Sequence, residues 1–422
     1  MKRSRSAGSR KTHNSLLENG ELDNAQDIRN DKVLLITNSS VSWSADLADY
    51  YIAARSLNPN HVKEFSLGTG TQVAGTDGAD AATFYSNVIE DISPYIKAND
   101  IDAVICCGVP HKCESLPRVL DGLTILTSTA SVLAIAVHLT DVFGGMVARA
   151  ESTVIDVFGG FTSPSLATSI DLSISYRFCD VYETFTNGTL IDSSARTHRL
   201  KHPTKEVIAY GSLGIPLTFT TADFNLAKRC ISDAIIKTSG TVHVGMQDRI
   251  TTNSVVTALT AYQSERVRQL CVKYGVPVRH FIEPNGYNAD WPEQPPPASY
   301  DSATMLAGTL DPVEDAWGMC GSGIDNEAVG APYINSYNWV QGSWGYEATS
   351  IGMNLVRNMI NNGACAGVGT WAEPQSSSVP IVDAFMQSLL SGQSMATAML
   401  VSRINMPWYV DCWGDPLYRP FA

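Results

Sequence analysis

Between Lys32 and Asn38 the chain reads K-V-L-L-I-T-N, apolar at four successive positions and bounded by polar residues. A strand with one wet face alternates apolar and polar side chains, so a run this continuous needs cover on both faces. The cover follows at once. S-V-S-W-S-A-D-L-A-D-Y-Y-I-A-A-R-S-L offers Ser42 or Ser44 as a helix N-cap and places Leu47, Ala48, Tyr51 and Ile52 on one helical face. The same alternation recurs down the chain. A helical pattern at 81–97, interrupted by Pro94, precedes the strand I-D-A-V-I-C-C-G, and K-E-V-I-A-Y-G precedes the capped helix T-T-A-D-F-N-L-A-K-R-C-I. G-T-V-H-V-G-M leads into a helical pattern at 254–274, closed by Gly275 and followed by V-P-V-R-H-F-I. Strands separated by helices pair in parallel. The expected fold is therefore α/β: a mostly parallel sheet with helices on both faces, a three-layer sandwich.

Three stretches break the rhythm. Residues 1–31 are polar and without a sustained period, and are expected to form a disordered arm carrying Lys2, Arg3, Arg5, Arg10 and Lys11 near its start. Residues 139–200, rich in Gly, Ser, Thr and aromatics, read as an irregular insertion with a β-hairpin. E-P-N-G-Y-N-A-D-W-P-E-Q-P-P-P-A-S-Y, at 283–300, reads as an extended loop. With no linker elsewhere, residues 32–422 are expected to form a single domain, divisible at most into lobes at 32–300 and 301–422.

Composition narrows the classes of function. The net charge of −13 argues against a duplex nucleic-acid partner, which needs clustered Lys and Arg. The most apolar stretch, S-V-L-A-I-A-V-H-L at 131–139, is shorter than the ~20 residues of a spanning helix, so no membrane partner is expected. Nine cysteines, an odd number mostly in apolar contexts, read as reduced core thiols of a cytoplasmic protein. No apolar core follows the basic arm, so no secretory signal is expected there.

The last part of the chain carries a rigid phrase, G-D-P-L-Y-R-P-F, at 414–421. It resembles the closing motif of an uncharacterised family of bacterial proteins. V-L-L-I-T-N-S-S-V-S-W-S-A-D-L, C-C-G-V-P and G-A-C-A-G-V-G-T-W-A-E-P match that family in the same order. The G-D-P at this place is also similar to gingipain-like cysteine peptidases, whose fold is caspase-like. The resemblance implies a parallel α/β sandwich, and a peptidase of that type would carry His at one strand end and Cys at the next. By order, those strands are expected to be A-T-M-L-A-G-T-L and Y-I-N-S-Y-N-W-V-Q-G-S-W-G, which contain neither a His in the first nor a Cys in the second.

The expectation is accordingly a non-catalytic or degenerate caspase/gingipain-like domain, a binding or structural module for an unidentified protein partner or assembly. The alternative is a cysteine or serine hydrolase with a non-standard constellation, for which His111, Ser343 and Cys365 are the candidates. Asp311, Glu314 and Asp315, in L-D-P-V-E-D-A-W, are the candidate ligands of a hard cation. No phosphate loop or nucleophile elbow is found, and no cofactor is expected. Asp415, Pro416 and Arg419 are expected to be structural. Pro416 and Pro420 fix the backbone, Asp415, an opposite charge to nearby Arg419, accepts backbone N–H bonds in the turn, and Trp413, Tyr418 and Phe421 pin the segment to the core.

Overall fold

Buried strands and the helices that cover them build one ten-stranded sheet. The computed structural model describes residues 28–73, 84–116, 125–133, 185–186, 189–190, 209–236, 238–246, 267–282, 313–322, 337–348, 352–370, 382–402 and 410–422. The first half holds β1 (Val33–Asn38), α1 (Ser44–Arg55), β2 (Val62–Phe65), α2 (Glu90–Asn99), β3 (Ala103–Cys107), β4 (Lys112–Leu116) and β5 (Ile125–Ser128). Then come β6 (Phe185–Thr186), β7 (Thr189–Leu190), β8 (Ala209–Leu213) and α3 (Thr221–Ile235). The second half holds β9 (Thr241–Met246), β10 (Val278–Ile282), β11 (Val313–Ser322), β12 (Tyr337–Ala348), α4 (Gly352–Asn361), β13 (Ala366–Thr370), α5 (Val382–Leu390), α6 (Met395–Val401) and β14 (Val410–Gly414).

All six residues of β1 are buried, as its unbroken apolar run requires. The sheet order is β10-β9-β11-β12-β13-β14-β8-β3-β1-β2. Neighbouring strands are parallel throughout, except that β14 runs antiparallel to β13. The α/β class read from the alternation is thus the observed one. Within the sheet, β2-β1-β3-β8 and β10-β9-β11-β12 repeat one order, in which the second strand in the chain lies outside the first. Such an order reverses between β1 and β3 and again between β9 and β11, and each reversal opens a crevice beyond the strand ends. A lobe boundary at 300 would fall inside the second group, between β10 and β11.

Local corrections have local causes. Pro94 does not end its helix: α2 runs through it, after a turn of π-helix at Tyr85–Ile89. The strand pairing with β12 is V-E-D-A-W-G-M-C-G-S rather than A-T-M-L-A-G-T-L, which lies outside the described residues. So do most of the basic arm, the 283–300 loop and most of the 139–200 insertion, of which the β6–β7 pair is described as an antiparallel hairpin. Small residues let α4 sit close on the sheet. A Cβ on Gly345 would come 2.1 Å from the Met359 sulfur, and one on Gly367 would come 2.6 Å from Val356 Cγ1. Elsewhere Trp344, Tyr346, Phe385, Trp317 and Phe421 pack ring against ring.

Candidate functional site

Beyond the ends of β1 and β3, where the first crevice would open, the polar side chains are occupied with backbone. Asn38, fully buried, donates from Nδ2 to the carbonyls of Gly68 (2.7 Å) and Gly108 (3.0 Å). Its Oδ1 accepts from the amides of Ser40 (3.1 Å) and Leu67 (3.0 Å). Ser44 Oγ accepts from the Asn38 amide at 2.8 Å and donates to the Cys107 carbonyl at 2.6 Å. Neither serine caps α1 in the expected way: the N-cap position is Trp43, and the Ser44 hydroxyl joins β1 to β3 instead. The Trp43 indole donates to the Phe219 carbonyl at 3.2 Å and leans on Phe219 and Phe224. A Cβ on Gly108 would come 3.2 Å from that indole, so the ring closes over the end of β3.

His111 follows β3, buried, with its ring edge-on to Trp413 at 5.4 Å between centroids. Burial, aided by Lys112, lowers its pKa to about 3, so the imidazole is neutral at pH 7. Its backbone carbonyl accepts from the Thr129 amide at 3.1 Å.

The second group of strand ends is acidic. Cys320 and Gly321 on β11 stand opposite Tyr346 and Glu347 on β12, and Glu347 in turn stands opposite Gly369 on β13. Glu347 and Thr370 are fully buried, and Asp383, in the first turn of α5, is nearly so. Burial raises the Tyr346 hydroxyl well above its ordinary range, and Cys320, Glu347 and Asp383 raise it further. Burial likewise raises the Cys320 thiol, with Cys271 and Glu347 adding to it. A Cβ on Gly352 would come 2.5 Å from the Glu347 carbonyl oxygen, so only glycine lets α4 begin this close to the end of β12. The hydroxyl and thiol therefore stay protonated beside two buried acids, an arrangement suited to hydrogen bonding and not to thiolate attack.

Ser343 and Cys365 do meet, through the backbone. The Cys365 amide donates to the Ser343 carbonyl at 2.9 Å, and its Sγ lies 3.1 Å from the same oxygen. Both residues are fully buried, and burial holds the Cys365 thiol well above its ordinary pKa. Thus His111 is held by Trp413, while Ser343 and Cys365 are held by each other. Of the cation candidates, Asp311 lies outside the described residues, and Glu314 and Asp315 belong to β11. No group of three or more metal-ligating side chains occurs among the described residues.

The C-terminal phrase has a different partner from the one expected. Asp415, fully buried, accepts from Tyr51 Oη at 2.7 Å, Arg55 Nε at 3.1 Å, Arg55 Nη2 and the Leu417 amide at 3.0 Å. The cation that faces it is therefore Arg55 of α1, 360 residues earlier in the chain, and not Arg419. Burial works to lower the Arg55 pKa, but the Asp415 carboxylate more than offsets this and holds it above the usual range. Pro416 and Tyr418 accept, through their carbonyls, from the amides of Ala396 (3.0 Å) and Met395 (2.9 Å) at the start of α6. The Tyr418 hydroxyl donates to the Gly342 carbonyl. Sequence reasoning missed Arg55, Asn38, Glu347 and Asp383. The signal available was position: Asn38 and Glu347 each stand at the end of an apolar strand, where a polar residue needs a reason.

No known protein family matches the chain, and no curated protein matches it.

Proposed function

We propose that this chain is a degenerate caspase/gingipain-like domain that acts as a binding or structural module, in a reducing compartment such as the cytoplasm. The observation that carries the reading is the pair of strand ends where such a peptidase would hold its His and Cys. In this chain β11 closes with Cys320, Gly321 and Ser322, and β12 closes with Tyr346, Glu347 and Ala348. Glu347 at the second position supplies no thiol to activate, and burial disfavours thiolate at Cys320 and Cys365 alike. The eight cysteines among the described residues are all free and buried, in keeping with a reducing compartment.

The test is an electrophilic thiol probe together with a mixed library of fluorogenic peptides, applied to the folded protein at pH 7. The expected outcome is no turnover, and labelling only after denaturation. Rapid labelling of the folded chain that disappears in Cys365→Ala would reinstate the hydrolase. Peptide turnover lost in His111→Ala or Ser343→Ala would do the same for a serine mechanism.

A further inference from the structure

The geometry points to a groove that binds a segment of the chain's own N-terminal arm, Ser15–Asp23. The groove has a volume of about 640 Å³, within the ~300–1,000 Å³ range of ligand-sized sites. It lies between the ends of α1 and α3, the start of β10 and the C-terminal residues 418–422. Its walls include Ile235, Ile236, Pro277 and Phe421, and its charged side chains are Arg419 and Arg55, the latter already paired with Asp415. Four large apolar residues stand exposed among the described residues: Ile235 (49%), Ile236 (43%), Val272 (60%) and Tyr274 (36%). The first two line this groove, Tyr274 directly precedes lining residue Gly275, and Val272 stands three residues before it. Clustered exposed apolar side chains mark a contact surface, whereas scattered ones do not.

The chain itself supplies a matching occupant. Ser15–Asp23 reads S-L-L-E-N-G-E-L-D, with Leu16, Leu17 and Leu22 as apolar anchors, three acids and no base. Apart from Met1, these leucines are the only large apolar side chains in residues 1–27. Apolar anchors suit the isoleucine wall.

The point of entry also fits. Ile28 is buried, and Arg29 donates to Asp102 (2.7 and 2.8 Å) and Asp100 (3.0 Å), which fixes the chain there. Asn30, a lining residue, donates from Nδ2 to the Arg55 carbonyl at 3.0 Å. Six residue steps separate Leu22 from the buried Ile28 and can span about 20 Å when extended. A tether this short holds the segment near millimolar effective concentration, so even weak complementarity fills the groove.

The experiment uses the full chain with a photo-crosslinking amino acid in place of Leu17, irradiated at low micromolar concentration, with the products mapped by mass spectrometry. The expected result is an intramolecular crosslink to 234–236, 276–277 or 419–421, whose yield falls several-fold in Ile236→Asp, because a carboxylate in the groove repels the acidic segment. Amide exchange of residues 16–22 is expected to be slowed in the native chain and restored to fast exchange by Leu22→Asp, a change outside the folded core. Crosslinks to other regions, crosslinks that join two copies only, or fast exchange at 16–22 in the native chain would each overturn the assignment.

Discussion

The two places where the strand order reverses are built from opposite materials. Beyond β1 and β3, Asn38 and Ser44 turn every polar atom to the backbone, and Trp43 seals the end. Near the ends of β11 and β12, the polar groups are Glu347, Asp383, Tyr346 and Cys320, which act on one another electrostatically. An amide that bridges four backbone groups contributes stability and leaves nothing to offer a ligand. Burying carboxyl groups costs desolvation, so the acidic end carries a cost that the amide end does not. The same topological device thus serves as a lock in one place and holds a buried acidic cluster in the other.

Substitution can break this contrast, and the largest effect is expected at the C-terminal anchor on α1. Asp415→Ala leaves Arg55 largely buried without its carboxylate and is expected to cost about 3–5 kcal/mol in urea unfolding. A change under ~1 kcal/mol would mean that the C-terminal phrase does not tie α1 to the sheet. Asn38→Ala removes four hydrogen bonds at a buried site and is expected to cost about 3 kcal/mol. If its Tm matched that of the native chain, the lock would have to lie elsewhere.

The pH dependence sharpens the comparison further. The folded pKa of His111, about 3, lies below its unfolded value of 6.5, so the unfolded state binds the proton first and stability is lost as pH falls below 6.5. From pH 7 to pH 5 this group alone is expected to cost about 2 kcal/mol. In His111→Gln that part of the acid sensitivity should disappear from chemical-denaturation curves recorded across the same range. The smallest effect is expected at the acidic end. Glu347→Gln keeps the shape and removes a buried carboxyl group, so stability should change by no more than about 1 kcal/mol, or rise slightly. A loss as large as that of Asn38→Ala would make Glu347 part of a second lock and erase the distinction.

The alternation of apolar runs with capped helical patterns was legible because strand and helix periods depend on near neighbours. K-V-L-L-I-T-N had to be a strand covered on both faces, and it is. G-D-P-L-Y-R-P-F could be read as a tied-down segment from its prolines and aromatics, since those side chains restrict the backbone locally. Its partner could not be read. Asp415 finds Arg55 and Tyr51 from 360 and 364 residues away, and Arg419, only four residues on, offered a nearer charge that sequence reasoning preferred. For the same reason Cys365 and Ser343 could be singled out by type, but their contact through a thiol and a carbonyl depends on how β12 and β13 align. The sequence by itself determined which segments become strands and helices, because that follows from periodicity. The tertiary structure alone decided which strand ends are sealed and which keep their acids, because strand order brings residues distant in the chain into one low-dielectric environment.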